Sequence, residues 1–310
     1  MMFLDGKSVL ITGGTGSLGH ALVKRLVDTD VELRVFSRDE AKQDAMRQLY
    51  PKVDYITGDI RDPVALTDAM EGADYVFHAA ALKQVPNCER FPVEAIRTNT
   101  LGALNLAEAA KKCRPRAVIA ISTDKAVEPL NTMGLTKALM ERIVLSRDTP
   151  EMMVVRYGNV IGSRGSVVPL FLDCIANGRS LPITNRHMTR FLFCLSDAVD
   201  LLLRVAEDGV GGQLWVKKMP AATVDTIAQA CLKFRGQERR STEQFGIRPG
   251  EKMHEVLVTS DERRRAKETG EHFIIYQGFE VFGTMDEYTS ENTERLDVDG
   301  VVKLLEKAGL

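Results

Sequence analysis

Cysteine is sparse and scattered in this chain: five in 310 residues, at Cys88, Cys113, Cys174, Cys194 and Cys231, with no C-x-x-C pair. The odd number and wide spacing argue against a zinc site or a disulfide framework and for ordinary thiols in a reducing compartment. A dominant charge is lacking too. The formal net charge is −2, so nothing global points to nucleic acid or an anionic membrane. The basic clusters Arg239-Arg240 and Arg263-Arg264-Arg265 are short, interleaved with acids, and read as solvated faces. No apolar run approaches the ~20 residues of a membrane helix. The N-terminus shows no charged-then-apolar leader, and its apolar stretch 8–12 reads as a strand. Repeats and low-complexity segments are absent as well. Together these absences predict a soluble cytoplasmic protein without a metal, a membrane or a nucleic-acid partner.

What is present is an ordinary globular composition, 44% apolar and 27% charged. The length exceeds one typical domain without clearly making two, and suffices for a sizeable core. Short apolar runs at 8–12, 32–36, 53–57, 75–78, 117–121 and 152–156 predict strands. Between them, amphipathic patterns at 17–27, 39–50, 63–70, 93–112 and 131–146 predict helices. Such alternation predicts an α/β fold, a Rossmann-type doubly wound parallel sheet over 1–160 that binds ligands beyond the carboxyl ends of its strands. After Asn159 the rhythm breaks. A loop at 162–166, helices at 169–177, 196–208, 223–235 and 301–309, and strands at 180–184 and 213–218 predict a smaller C-terminal α/β domain over 161–310. Some of its segments could return to the large sheet.

Thr12-Gly13-Gly14-Thr15-Gly16-Ser17-Leu18-Gly19 follows the first strand and opens the first helix. Glycines let a backbone turn tightly and approach a pyrophosphate, and the helix start offers free N–H groups. A tight structural turn is the bland alternative, but the strand–turn–helix context favours a dinucleotide. The second strand ends in Ser37-Arg38 rather than an acid. A hydroxyl and a guanidinium suit a 2′-phosphate, so NADP is expected over NAD. Ser37 could equally cap the next helix. Asp59 and Ile60, after the third strand, are candidates to contact adenine.

The fifth strand ends in Ser122-Thr123-Asp124-Lys125, polar residues facing the cleft. Adjacent acid and amine can shift each other's proton affinity and serve proton transfer, or simply form a salt-bridged strand end. Met133 and Lys137 lie four apart and so share a helix face. Many nucleotide-cofactor enzymes carry tyrosine and lysine at that spacing. A thioether exchanges no proton near pH 7, so acid–base work falls to Asp124, Lys125 and Lys137.

These motifs resemble the extended short-chain dehydrogenase/reductase superfamily. Within it the chain looks like the nucleotide-sugar 4,6-dehydratases that act on UDP-N-acetylglucosamine. The resemblance also rests on His78-Ala79-Ala80-Ala81-Leu82-Lys83-Gln84-Val85-Pro86, Arg97-Thr98-Asn99, Arg156-Tyr157-Gly158-Asn159-Val160, Met188-Thr189-Arg190-Phe191 and Arg248-Pro249-Gly250-Glu251-Lys252. It implies a UDP-sugar as substrate, bound mainly by the C-terminal half. It further implies oxidation at C4, loss of water across C5 and C6, and hydride return to C6. Thr123 and Asp124 would lie near the sugar, Asp124 helping the C6 hydroxyl leave. Lys125, its proton affinity lowered by burial, would take the C5 proton. Lys137, with Ala79, Ala80, Ala81, Lys83 and Asn99, would hold the cofactor side; Asn99 also matches the structural asparagine of the long helix. Lys83, Asn159, Arg190, Arg248 and Glu251 would contact the UDP-sugar. Methionine at 133 marks a subset with C5-inverting and C5-retaining members. The stretch from Gln213 to Thr223 and the short chain look like the inverting, capsule- and O-antigen-type members. By analogy alone a homo-oligomer, dimer or hexamer, is implied. A UDP-sugar 4-epimerase and a non-catalytic NADP-binding regulatory protein remain as rivals.

Overall fold

The computed structural model describes residues 2–146, 151–163, 165–278 and 284–310. Six strands build the N-terminal half: β1 (Lys7–Thr12), β2 (Val31–Ser37), β3 (Asp54–Thr57), β4 (Tyr75–His78), β5 (Ala117–Thr123) and β6 (Met152–Tyr157). They pair in the order 3-2-1-4-5-6, all parallel. The order reverses between β1 and β4, and the crevice beyond that point is where such sheets take ligands. Right-handed crossovers put α1 (Ser17–Leu26) and α2 (Glu40–Leu49) on one face and α3 (Pro63–Met70) on the other.

The predicted long helix over 93–112 is broken into pieces. An unpredicted helix α4 (Val85–Arg90) precedes it, and the predicted stretch itself comprises α5 (Pro92–Ala95), a π-helical stretch Ile96–Leu101, and α6 (Gly102–Cys113). Pro86 and Pro92 each occupy a first-turn position, where a missing N–H costs nothing, so each starts a new helix. The wide π turn carries Asn99. α7 (Thr132–Val144) packs beside α6, capped by Asn131, whose side chain accepts from Gly134 N at 2.8 Å.

The large sheet does not end at β6. Strand Leu214–Lys217 adds parallel to β6, and His272–Ile275 and Ala266–Glu268 follow antiparallel, making nine strands among the described residues. Helix Leu195–Asp208 packs on α1, with Arg25 and Asp200 paired at 2.7 Å. The remainder has its own apolar cluster, in which Phe171, Leu181, Ile183, Ile227, Val301 and Leu305 are buried. Small mixed sheets surround it, one joining Asn159–Val160, Thr189–Phe193 and Ala221–Thr223. Of the loop read over 162–166, Arg164 lies outside the described residues. All five cysteines are free thiols. Among the described residues no helix is long and apolar enough to cross a membrane.

Candidate active site

A cavity of about 1090 Å³ runs from the glycine loop to the segment around Arg248. Single-ligand pockets span roughly 300–1,000 Å³, so there is room for a dinucleotide and a second ligand. Gly13, Thr15, Gly16, Ser17, Leu18 and Gly19 line one end. Gly13 has φ +66°, and a Cβ there would stand 2.6 Å from Ala80 N. A Cβ on Gly19 would meet Gly14 Cα at 2.3 Å, so the loop and α1 pack backbone to backbone. α1 starts at Gly16 with no side-chain cap, leaving its first N–H groups to the cavity. These donors fit a pyrophosphate.

Ser37, Arg38, Asp59 and Ile60 line the same end. Ser37 does not cap α2: Asp39 does, accepting from Lys42 N at 3.1 Å. Ser37 Oγ instead accepts from Gln43 Nε2 at 3.1 Å and keeps its own proton to donate. Arg38 is half-exposed and stands 3.5 Å from Asp59. Burial would raise the Asp59 carboxyl, but hydrogen bonds from Arg61 and the charges of Arg61 and Arg38 outweigh it and hold it below the usual range.

At the cavity centre, Thr123 ends β5 and caps a single 3-10 turn, Asp124–Ala126. Thr123 Oγ1 donates to Asp124 Oδ1 at 2.8 Å, and Lys125 Nζ lies 3.1 Å from the same oxygen. Asp124 is fully buried, and its Oδ2 has no hydrogen-bond partner among the described residues. Lys125 Nζ also lies 3.5 Å from Glu255 Oε1. Burial lowers the proton affinity of Lys125, but the charges of Asp124 and Glu255 outweigh it and the net direction is upward. The expectation of a lysine whose proton affinity is lowered by burial is therefore corrected: two acids hold it as an ammonium.

Met133 is buried against Cys88 and Ala95, with Leu82 and Val85 beside them, and reaches the cavity wall. Lys137 is 6% exposed, and its Nζ donates to Ile121 O at 2.5 Å. Burial lowers its pKa to about 8, with Glu141 opposing. His78, next to the loop, is pushed to about 3 by burial and then by Lys137, so it is neutral; its Nδ1 meets Thr12 Oγ1 at 2.7 Å. Tyr157 is the one phenol among the lining residues. Burial raises its pKa, so it stays protonated and cannot replace the missing tyrosine as a base.

The buried lysine has a stability signature. Its folded pKa of about 8 lies below the ordinary 10.5, so the unfolded chain binds more protons between them. Stability therefore rises with pH across that window, and the charge is most costly below it. Lys137→Met is expected to lose turnover yet gain about 1–2 kcal/mol of stability at pH 7. Relief of the buried charge gives ~3 kcal/mol, offset by about 1 for the lost bond to Ile121 O. Thermal melts at pH 7 and pH 10 check this; an equal gain at both would refute the linkage.

Ala79, Ala80, Ala81 and Lys83 also line the cavity, as do Asn159, Arg190, Arg248 and Glu251. Asn159 Oδ1 and Glu251 Oε2 are buried without partners among the described residues, as groups awaiting a ligand would be. Two expected cofactor contacts are absent from the wall. Thr12 is fully buried beneath the loop against His78. Asn99 accepts from Leu82 N at 2.8 Å and donates to Leu82 O and to Thr136 Oγ1, so its amide is committed to stapling the cavity floor to α7. The residue that sequence reasoning missed is Glu255. It lies three positions past the recognised Lys252, directly before the strand Val256–Val258, and an acid at a strand start carried no signal.

Models of known families and solved structures bear on this geometry. The family described as "Polysaccharide biosynthesis protein" matches residues 9–277, and its C-terminal counterpart matches 273–308. Proteins named UDP-glucose 4-epimerase from Rickettsia canadensis and Rickettsia bellii are 44% identical, over 98% of this chain and 96% of theirs. The structure of Pen from Bacillus thuringiensis is 34% identical, covers 99% of this chain and 100% of its own, and superposes with a TM-score of 0.92. A dTDP-glucose 4,6-dehydratase, DesIV from Streptomyces venezuelae, shares the fold with a TM-score of 0.72 at 20% identity, over 79% of this chain and 86% of its own. With a single family model spanning most of its length, the chain belongs to the polysaccharide biosynthesis protein family, within the extended short-chain dehydrogenase/reductases.

Proposed function

We propose that the protein is an NADP-dependent UDP-N-acetylglucosamine 4,6-dehydratase that inverts C5. Its product would be a UDP-2-acetamido-2,6-dideoxy-4-hexulose for bacterial-type surface polysaccharide or glycan precursors. The observation that carries this reading is the Asp124–Lys125 contact in the cavity, an acid and an amine 3.1 Å apart. Chemistry confined to C4 has no use for such a pair, whereas elimination across C5 and C6 needs a base and an acid side by side.

A bound nicotinamide dinucleotide supplies hydride acceptance at C4 and return at C6. The glycine loop, Ser37, Arg38, Asp59, Ile60 and Ala79 to Ala81 would hold it, with Lys137 at the nicotinamide end. NADP is favoured by the Arg38 guanidinium and the Ser37 hydroxyl, although the solved DesIV carries NAD. With Met133 silent, Lys137 is the acceptor for the C4 hydroxyl proton. At a pKa of about 8, roughly one molecule in ten has it neutral at pH 7. The other pair is primed by one internal step. A proton passing from Lys125 Nζ to Asp124 Oδ1 leaves a neutral amine and a neutral acid. The amine then takes the C5 proton, the acid's proton leaves with the C6 oxygen as water, and the ion pair is restored. A water proton delivered to the opposite face replaces the one lost at C5, and Lys137 releases the C4 hydroxyl proton to solvent. Lys83, Asn159, Arg190, Arg248 and Glu251 would orient the UDP-sugar. A homo-oligomer belongs to the same proposal, its face offered by exposed Leu101, Leu104, Leu135 and Leu139 on adjoining helical segments.

The names of the Rickettsia relatives favour a second reading, a UDP-sugar 4-epimerase. Turnover of UDP-N-acetylglucosamine with NADP in heavy water separates the two. The dehydratase yields a product lighter by one water, with deuterium at C5 and ring couplings reporting the inverted or retained centre. An isomer of unchanged mass would sink the dehydratase, and an absence of any turnover would favour a binding protein.

A further inference from the structure

Glu255 has no part in the chemistry above, yet it is 3% exposed and lines the cavity. Its Oε1 lies 3.5 Å from Lys125 Nζ and 3.7 Å from Arg190 Nε, while its Oε2 is buried without a partner among the described residues. A buried carboxylate with one orphan oxygen costs stability and calls for a reason. Its backbone is held firmly. Glu255 N donates to Ser290 Oγ at 2.8 Å, and Ser290 N donates back to Glu255 O at 2.8 Å. Ser290 is fully buried, with its hydroxyl 2.6 Å from that of Thr189. The next strand, Val256–Val258, lies against the Asp124–Ala126 turn. Glu255 thus reaches Lys125 from a different element than Asp124 does.

Resting on the dehydratase reading, we propose that Glu255 is a positioning residue for the C5 proton transfer. Its carboxylate holds the Lys125 amine between itself and Asp124, with Arg190 balancing its charge. Without it the amine of a flexible lysine would be tethered from one side only. The charged groups acting on Lys125 are Asp124 from the turn after β5, Glu255 from the segment before Val256–Val258, and Arg190 from Thr189–Phe193; Lys252 stands near enough to feel Lys125, with Glu128 beside it. The two carboxylates nearest the amine, Asp124 and Glu255, match the two cations Lys125 and Arg190. Removing one member therefore shifts the proton affinity of Lys125 in a direction set by the charge removed. Loss of Glu255 lowers it and loss of Arg190 raises it.

The test reads that titration directly, in the full-length protein with carbon-13-labelled lysine, the Lys125 signal being assigned by its loss in Lys125→Met. In Glu255→Gln the Lys125 midpoint is expected to fall by about one unit or more. The limb of the kcat profile that depends on Lys125 moves to lower pH with it. The plateau kcat is expected to fall about tenfold or more, as for a misplaced catalytic group, with KM changing far less. Glu255→Asp restores part of the plateau. Arg190→Met, which leaves the carboxylate in place, is expected to move the midpoint the other way. A Lys125 midpoint unmoved in both Glu255→Gln and Arg190→Met overturns the proposal, as does a Glu255→Gln enzyme that loses stability with its pH limb unmoved. If the wild type releases no dehydrated sugar, the dehydratase reading fails on its own, and the titration still decides whether Glu255 governs Lys125.

Discussion

Lys125→Met is expected to abolish dehydration, lowering kcat by about a thousandfold or more, within the range seen for loss of a positioned acid–base group. Methionine keeps the length and apolar stem of the lysine, so the loss is of the amine alone. In the wild type that amine lies 3.1 Å from Asp124 and 3.5 Å from Glu255, and among the described residues no other ammonium or guanidinium stands as close to Asp124. The glycine loop and the Arg38 end of the cavity are untouched, so dinucleotide affinity should change little. On the proposed reading, oxidation at C4 would rest on Lys137 and should survive, leaving the variant able to start the reaction but not to release water. Mass spectrometry of the sugar product checks the first claim, and absorbance of the bound reduced dinucleotide checks the second. A variant that still dehydrates at the wild-type rate removes Lys125 from the mechanism.

The largest effect on stability is expected at Arg156. Its guanidinium is buried in β6 and forked between two carboxylates, Glu141 at 2.6 and 3.0 Å and Glu262 at 2.9 and 3.0 Å. It also donates to Leu257 O at 2.8 Å. Three elements meet there: β6, α7 with its Lys137, and the helix Ser260–Arg264. Replacing Arg156 by methionine strands two carboxylates, Glu141 buried and Glu262 mostly so, a loss of about 3–5 kcal/mol at neutral pH. The sign with pH follows from Glu262. Burial would raise its carboxyl, but the charge and hydrogen bonds of Arg156 outweigh that and hold it below the ordinary 4.5. A depressed folded value gives stability that is present above the unfolded value and lost as pH falls through the folded one. The variant loses that contribution, and its stranded acids take up protons more readily than before. Its deficit against the wild type should be greatest near pH 7 and narrow toward pH 4. Urea melts at both values test this, and a deficit independent of pH would mean that lost packing, not stranded charge, is the cause.

Much of the nucleotide half was legible because its signals are local. The glycine loop, β1 to β6 and α7 each carry their period or their turn residues within a dozen positions. The C-terminal half gave up its longer helices in the same way. It withheld strands of two to five residues such as Asn159–Val160, Thr189–Phe193 and Val256–Val258, whose pairing is decided by distant neighbours rather than by their own pattern. The site divides along the same line. Asp124, Lys125 and Lys137 follow from a strand end and a helix spacing. Glu255 meets Lys125 only because residues 130 positions apart in the chain fold together. The state of Lys125 was misjudged for that reason, since burial was visible in the pattern but the second acid was not. Asn99, read both as a structural asparagine and as a cofactor contact, serves the first role here: the π turn aims its amide at Leu82 and Thr136 instead of the ligand space.

The pairing of β6 with Leu214–Lys217 has a consequence in time. On the ribosome the chain emerges in order, and β6 is complete 57 residues before its outer neighbour begins. At roughly 5–20 residues per second that is about 3–11 s during which one edge of β6 has no partner. Every residue of that strand is buried in the finished protein, and Arg156 is its only charge. A bare apolar edge is a template for pairing with another nascent chain, and an embedded arginine is the kind of residue that discourages it. The guanidinium that later joins three elements would thus first serve to keep neighbouring copies apart.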